Sequence, residues 1–218
     1  MKRQFRIILV IFLVIVAVAG IALGALFGSQ IKAIRSITEL TPGLYYLEYR
    51  GDYGFLAFLE RGGAKSDQEV AAYLTEFLSG GFYKYQMTEE GGGCSTLAAK
   101  TRDGEFVLGR NFDWPDTTSL IVRTIPEQGY SSISTVNVNF LGFGDDFAAE
   151  SLMEKLLLLA ATYVPLDGMN EKGLCVADLM VECPGETHQE TGKPSLTTTT
   201  AIRLLLDQAA TVDEAITL

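Results

Sequence analysis

Two runs of strand-forming residues, CSTLAAKT beginning at Cys94 and EFVLGRNFDW ending at Trp114, flank Arg102-Asp103-Gly104. An Asp-Gly pair between such runs is a tight-turn signal, so this segment is predicted to fold back on itself as a hairpin. Folding about Asp103 sets Cys94 opposite the segment from Asn111 to Asp113 and brings its thiol beside Arg110 and Asp113. Strict alternation puts Arg110 and Asp113 on opposite faces of a strand. Both serve one site only where the strand bulges or ends.

The flanking chain has two distinct parts. Lys2, Arg3 and Arg6 precede an uncharged run from Ile7 to Phe27, 21 residues, which as a helix spans about 30 Å of hydrocarbon. The run exceeds the usual apolar stretch of a cleavable signal, which favours an uncleaved anchor. Ala22, Gly24, Ala25 and Gly28 leave room for a processed, secreted alternative. The basic residues before the run outnumber Lys32 and Arg35 after it, which places the N-terminus inside and the bulk of the chain outside the cytoplasm. The formal net charge of −10 opposes phosphate neutralisation, so nucleic acid is not an expected partner.

From residue 36 onward strands and helices alternate. GLYYLEYRGDYGFLAFL reads as a hairpin turning near Arg50-Gly51-Asp52 or Tyr53-Gly54. Ser66 and Glu69 form a capping box that opens a helix carrying Val70, Leu74 and Leu78, and Gly80-Gly81 ends it. SISTVNVNFLGF is strand-like. A helix is predicted over residues 145–162 with Leu152, Leu156 and Leu159 in the core, a hairpin over 163–181, and a helix over 198–209 carrying Ile202, Leu205, Leu206 and Ala209. Thr211 and Glu214 open a last helix, which Leu218 cuts short after about two turns.

The chemistry centres on Cys94. By type a lone cysteine is a small buried hydrophobe, but this one follows three glycines. Metal binding fits poorly: no CxxC pair occurs, and His188, the only histidine, lies in the polar stretch CPGETHQETGKP. A strand running on from Cys175 holds it far from Cys183, so all three thiols are expected free. A Cys-His arrangement needs His188 as its base. The alternative base is the cysteine's own amine. Cleavage of Gly93–Cys94 releases an α-amino group with a reference pKa of about 7.7 to 8.0, suited to proton transfer near neutrality. The glycines allow the backbone conformations that bring the thiol to the preceding carbonyl. Arg110 beside the sulfur favours thiolate, and Asp113 is placed to orient the new ammonium.

GCSTLAAKTRDGEFVLGRNFDWP resembles the start of the catalytic domain in the choloylglycine hydrolase and penicillin V acylase family, linear amide C-N hydrolases of the N-terminal nucleophile superfamily. DGMNEKGLCVADLM resembles a later hairpin of the same family, and TTTTAIRLLLDQAATVDEA is a weaker third match. The resemblance implies Cys94 as nucleophile and base, Arg110 and Asp113 as its partners, a small N-acyl amide substrate, and no metal or cofactor. It places Met180 at the substrate-binding position where bile-salt members carry an oxyanion asparagine; methionine has no amide to donate, although its backbone N–H remains. On this resemblance the family's later asparagine and arginine would lie beyond Leu218, so an incomplete, inactive form of the domain is one alternative expectation.

These readings give an α+β protein with an incomplete four-layer αββα fold. Residues 1–28 are expected to be an anchor or signal, 29–93 a small α/β pro-segment, and 94–218 the first part of the hydrolase domain. The expected activity is hydrolysis of linear amides after self-cleavage at Gly93–Cys94. Acyl transfer to an amine and a membrane-anchored, non-catalytic binding module are the alternatives.

Overall fold

A computed structural model of the chain describes residues 2–81, 93–114, 117–144, 147–180 and 191–218. The first helix, α1 (Lys2–Ser36), leads into an antiparallel pair, β1 (Thr38–Thr41) and β2 (Leu44–Arg50), joined through Pro42 and Gly43. Two helices follow, α2 (Phe55–Glu60) and α3 (Asp67–Ser79), and then the hairpin β3 (Gly93–Lys100) and β4 (Phe106–Asp113). Next come β5 (Ser119–Ile125) and β6 (Ser132–Asn137), the short helix α4 (Leu152–Leu157) with a 3-10 turn over Leu158–Tyr163, and the strands β7 (Asp167–Asn170) and β8 (Cys175–Ala177). The helices α5 (Thr198–Gln208) and α6 (Val212–Thr217) complete the order.

Six strands form one sheet in the order β1-β2-β5-β6-β7-β8, and β3 and β4 form a second sheet by themselves. Alternation decides what each face of the larger sheet carries. Tyr45, Leu47 and Tyr49 of β2 and Leu120 and Val122 of β5 turn inward and are buried, with Ser132, Ser134 and Val136 of β6 continuing the same face. Helical residues cover it: Val70, Ala71 and Leu74 of α3, all of residues 158–163, and Ile202 and Leu206 of α5 are buried. On the other face Ile133 and Met169 are exposed, and the β3–β4 hairpin meets this side through Arg110. The result is a mixed α+β fold with helices packed on a sheet. Its described residues supply a helical layer, a full sheet and a two-stranded second sheet.

Local sequence explains most boundaries. Ser66 accepts the Glu69 N–H at the start of α3, and Gly80 at φ 58° ends it. Gly168 is required by close approach, because a Cβ there would lie 2.7 Å from the Ile133 carbonyl and 2.8 Å from Leu206. Asn170 holds the β7–β8 turn and α5 together: its side-chain Oδ1 accepts from the Lys172 and Leu174 N–H groups, and its side-chain Nδ2 donates to the carbonyls of Leu206 and Ala209.

Two expectations are corrected. The segment after Arg50 does not return as a second hairpin arm. FLAFLE is helix α2, entered through Gly54 at φ 81°, because Phe55 and Phe58 at helical spacing both reach the core; the first arm instead pairs backward with β1 and in parallel with β5. The helix predicted over 145–162 starts only at Ser151, where a capping box with Glu154 forms, and Leu152 just inside that cap is exposed while Leu159 is buried. Within residues 29–81, β2 is an interior strand of the main sheet and its side chains share one core with residues 120–164.

Beneath α5, beside the buried Ile202 and Leu206, lies a buried polar cluster. Arg203 is fully buried, pairs with Asp207 at 2.7 Å one turn on, and donates to the Ser132 hydroxyl at 2.6 Å. The Tyr53 hydroxyl donates to the other Asp207 oxygen. Burial pushes the Asp207 carboxyl up, and Arg203 and Tyr53 pull it back. Residue 53 is thereby tied to residues 203 and 207.

The apolar residues of α1 at 9, 11–16, 18 and 27 are exposed, whereas Ala33 near its end is buried and Ser36 accepts the Glu48 N–H. Side chains at several positions between 5 and 26 are outside the described set, and among the described residues no helix is long and apolar enough to cross a membrane. The expected span from Ile7 to Phe27 thus has no support from the described residues.

Candidate active site

The hairpin has the register its Asp-Gly turn predicts. Cys94 pairs with Phe112, Gly93 with Asp113 and Thr96 with Arg110, without a bulge. Directly opposed residues share a face, so Cys94, Thr96, Arg110 and Phe112 lie together. On that face an Arg110 Nη2 donates to the Cys94 sulfur at 3.3 Å. The same nitrogen donates to the Asp178 carbonyl at 3.0 Å, while Nη1 pairs with the Asp167 carboxylate at 3.1 Å. The guanidinium also lies over the Phe112 ring, 4.9 Å from its centre. Phe112 in turn stacks on Trp114, and both meet the edge of Phe140, which anchors this end of the hairpin.

The Arg110 side chain is 8% exposed and that of Asp167 17%. A cation so desolvated needs partners to offset the cost of its burial, and here they come from β7 and from the segment just after β8. Asp178 contributes its carbonyl. Its carboxyl is pushed up by burial, an effect that the Arg110 charge partly offsets. The site therefore presents a thiol in direct contact with a guanidinium that is itself held by two further partners.

Of the residues singled out from sequence, the structure brings Cys94 and Arg110 together. Asp113 sits on the opposite face of the unbroken strand, is exposed, and accepts from the Asn111 amide. Its carboxylate lies beside Gly93, about where a Cβ on that residue would be 3.9 Å from Oδ2. Met180 is 46% exposed, two residues past the carbonyl that receives Arg110. Cys94 and Cys175 are free thiols; Cys183 and His188 are outside the described residues. Asp167 and the Asp178 carbonyl were missed. Asp167 opens the DGMNEKGL motif, but which face it occupies follows from the β6–β7 register, where it stands opposite Thr135.

The sequence model of the linear amide C-N hydrolases, choloylglycine hydrolase family, matches residues 94–218. That match covers more than half of the chain and begins at Cys94. Comparison with curated proteins and with solved structures gave no significant match. With the motif match, the α+β layering and the cysteine at the first matched position, the chain belongs to the choloylglycine hydrolase family of linear amide C-N hydrolases.

Proposed function

We propose that the protein is a cysteine amidohydrolase for small linear N-acyl amides, with Cys94 as its nucleophile after cleavage of the Gly93–Cys94 bond. The observation that carries this reading is the 3.3 Å contact between Arg110 and the Cys94 sulfur at the start of the family match. In maturation the sulfur attacks the Gly93 carbonyl, the peptide C–N bond breaks as the Cys94 amine takes a proton, and water releases the upstream segment from the thioester. In turnover the thiolate attacks the substrate carbonyl and backbone N–H groups hold the oxyanion. The α-ammonium then protonates the leaving amine, and water, deprotonated by the α-amine, hydrolyses the acyl-enzyme. Intact-mass measurement and N-terminal sequencing of the purified protein, followed by a panel of N-acyl amides, test the reading. A chain starting at Cys94 with turnover is expected; a mature N-terminus elsewhere removes the proposal.

Asp113 fits this scheme only after cleavage. While Gly93 is attached, the carboxylate faces that residue and not the thiol; once the bond is cut, the free amine forms at this end of the hairpin. Asp113→Asn is therefore expected to lower kcat by at least about 100-fold, the lower range of acid-base contributions, with circular dichroism unchanged. Equal kcat in the two proteins removes Asp113 from the mechanism.

Met180 favours a second reading, a non-catalytic binding module of the same fold, because its exposed thioether offers no hydrogen-bond donor for an oxyanion. An uncleaved chain that binds acyl amides without turnover is the outcome that selects it. Acyl transfer to an amine in place of water would appear in the same assays as an amide product.

We also propose that Ile7 to Phe27 anchors the protein, with the hydrolase part outside the cytoplasm. Support comes from the uncharged run in the sequence. The protein is expected to stay with membranes through alkaline carbonate extraction, and release into the supernatant overturns this.

A further inference from the structure

Arg110 alone does not explain why its Nη2 faces the sulfur. A guanidinium is a planar fork on a flexible stem, and its direction is set by whatever holds its other nitrogens. Here Nη1 is held by the Asp167 carboxylate. That carboxylate is itself fixed, since its other oxygen accepts from the Thr135 hydroxyl at 2.6 Å. Thr135 and Asp167 are direct cross-strand neighbours on β6 and β7, so the pair is mounted on the rigid interior sheet while Cys94 and Arg110 ride on the separate hairpin.

We infer that Asp167, oriented by Thr135, is a positioning residue that aims Arg110 at the Cys94 sulfur and so couples the two sheets at the reacting centre. This deepens the proposed function and rests on Cys94 being its nucleophile. Two rival roles make the opposite prediction for the thiol. If Asp167 acted only through its negative charge, removing it would strengthen the field of Arg110 and make Cys94 more reactive. If it were only a tie between hairpin and sheet, its loss would free the hairpin and expose the sulfur. An aiming role predicts that the guanidinium turns away, its charge leaves the sulfur, and reactivity falls. The other ionisable groups nearby are Asp178, behind the same guanidinium, and Asp113, on the far face of the hairpin; neither changes sign in these variants.

The test is the rate of Cys94 alkylation by iodoacetamide at pH 7, read by peptide mass spectrometry in the full chain, with Cys175 as internal reference. Asp167→Ala is expected to slow Cys94 several-fold while Cys175 is unchanged, and Asp167→Glu to restore part of the rate. Thr135→Val, which keeps the charge and frees the carboxylate, is expected to slow it less. A faster or unchanged rate in Asp167→Ala overturns the inference. Should that variant fail to fold, an unchanged rate in Thr135→Val overturns it instead. In turnover the same variants are expected to lose kcat by about 10-fold or more with KM little affected, as misalignment does. Turnover that persists in Cys94→Ala would defeat the proposed function while leaving the alkylation result standing. Turnover that needs Cys94 but ignores Asp167 would defeat only the positioning role.

Discussion

The Cys94→Ala variant is expected to remain one uncleaved chain and to hydrolyse no N-acyl amide. Both steps of the proposed scheme use the same sulfur, so one substitution removes both. Loss of a covalent nucleophile costs on the order of a million-fold in comparable acyl-transfer enzymes. Two nearby groups are not placed to take over the role. Ser95 is next in sequence, but it pairs with Asn111 and faces away from Arg110. Cys175 lies on β8 opposite Met169, and its thiol, pushed up by burial, has no guanidinium against it. Arg110 and its partners stay in place in the variant, so folding should be kept. Intact mass, N-terminal sequencing and product detection by chromatography decide the matter. Cleavage at Gly93–Cys94, or turnover within tenfold of the parent, would show that another group carries the chemistry.

What the sequence reveals and what it hides follow from the range of the interactions. The hairpin register is legible because Asp103-Gly104 determines it locally, and Ser66 and Gly80 mark α3 for the same reason. FLAFLE is ambiguous in sequence, since the five-residue apolar run that opens it suits a strand or a buried helix equally well, and only packing of Phe55 and Phe58 decides it. Strand β5 escapes notice because its partner β2 is parallel and some 75 residues away, as in the pairing of Glu48 with Arg123. In the site, Cys94 and Arg110 are legible from hairpin geometry plus a family motif. Asp167 is not, because its role depends on which face of β7 meets a hairpin of another sheet. Arg203 and Asp207 are one turn apart on α5, a spacing that on an exposed face is an ordinary surface pair. Burial under β6 and Tyr53 gives the pair its structural weight.

A protein made from residue 94 onward, matching the start of the family segment, is expected not to fold, whereas cleavage at Gly93–Cys94 in the folded chain is expected to leave the upstream piece bound. The reason is the position of β2. It pairs in parallel with β5 along its whole length, from Leu44 opposite Ser119 to Arg50 opposite Ile125. Without it β5 becomes a bare edge with its ladder unsatisfied. Tyr45, Leu47, Tyr49, Phe55 and Phe58 are all buried in the shared core. At roughly 1.5–3 kcal/mol per large apolar side chain, their loss matches the whole net stability of a typical domain, about 5–15 kcal/mol. Removing Tyr53 also strips a donor from buried Asp207, at a further cost of about 1–3 kcal/mol. The same contacts hold the cleaved piece in place, because the cut falls at the first peptide bond of β3 and touches no strand of the six-stranded sheet. Denaturing gels of matured protein should show two fragments that elute as one species in size-exclusion chromatography, and residues 94–218 alone should lack a cooperative thermal transition. A cooperative transition in that shortened protein, or separation of the fragments without denaturant, would mean that the strand pairing contributes far less than its burial implies.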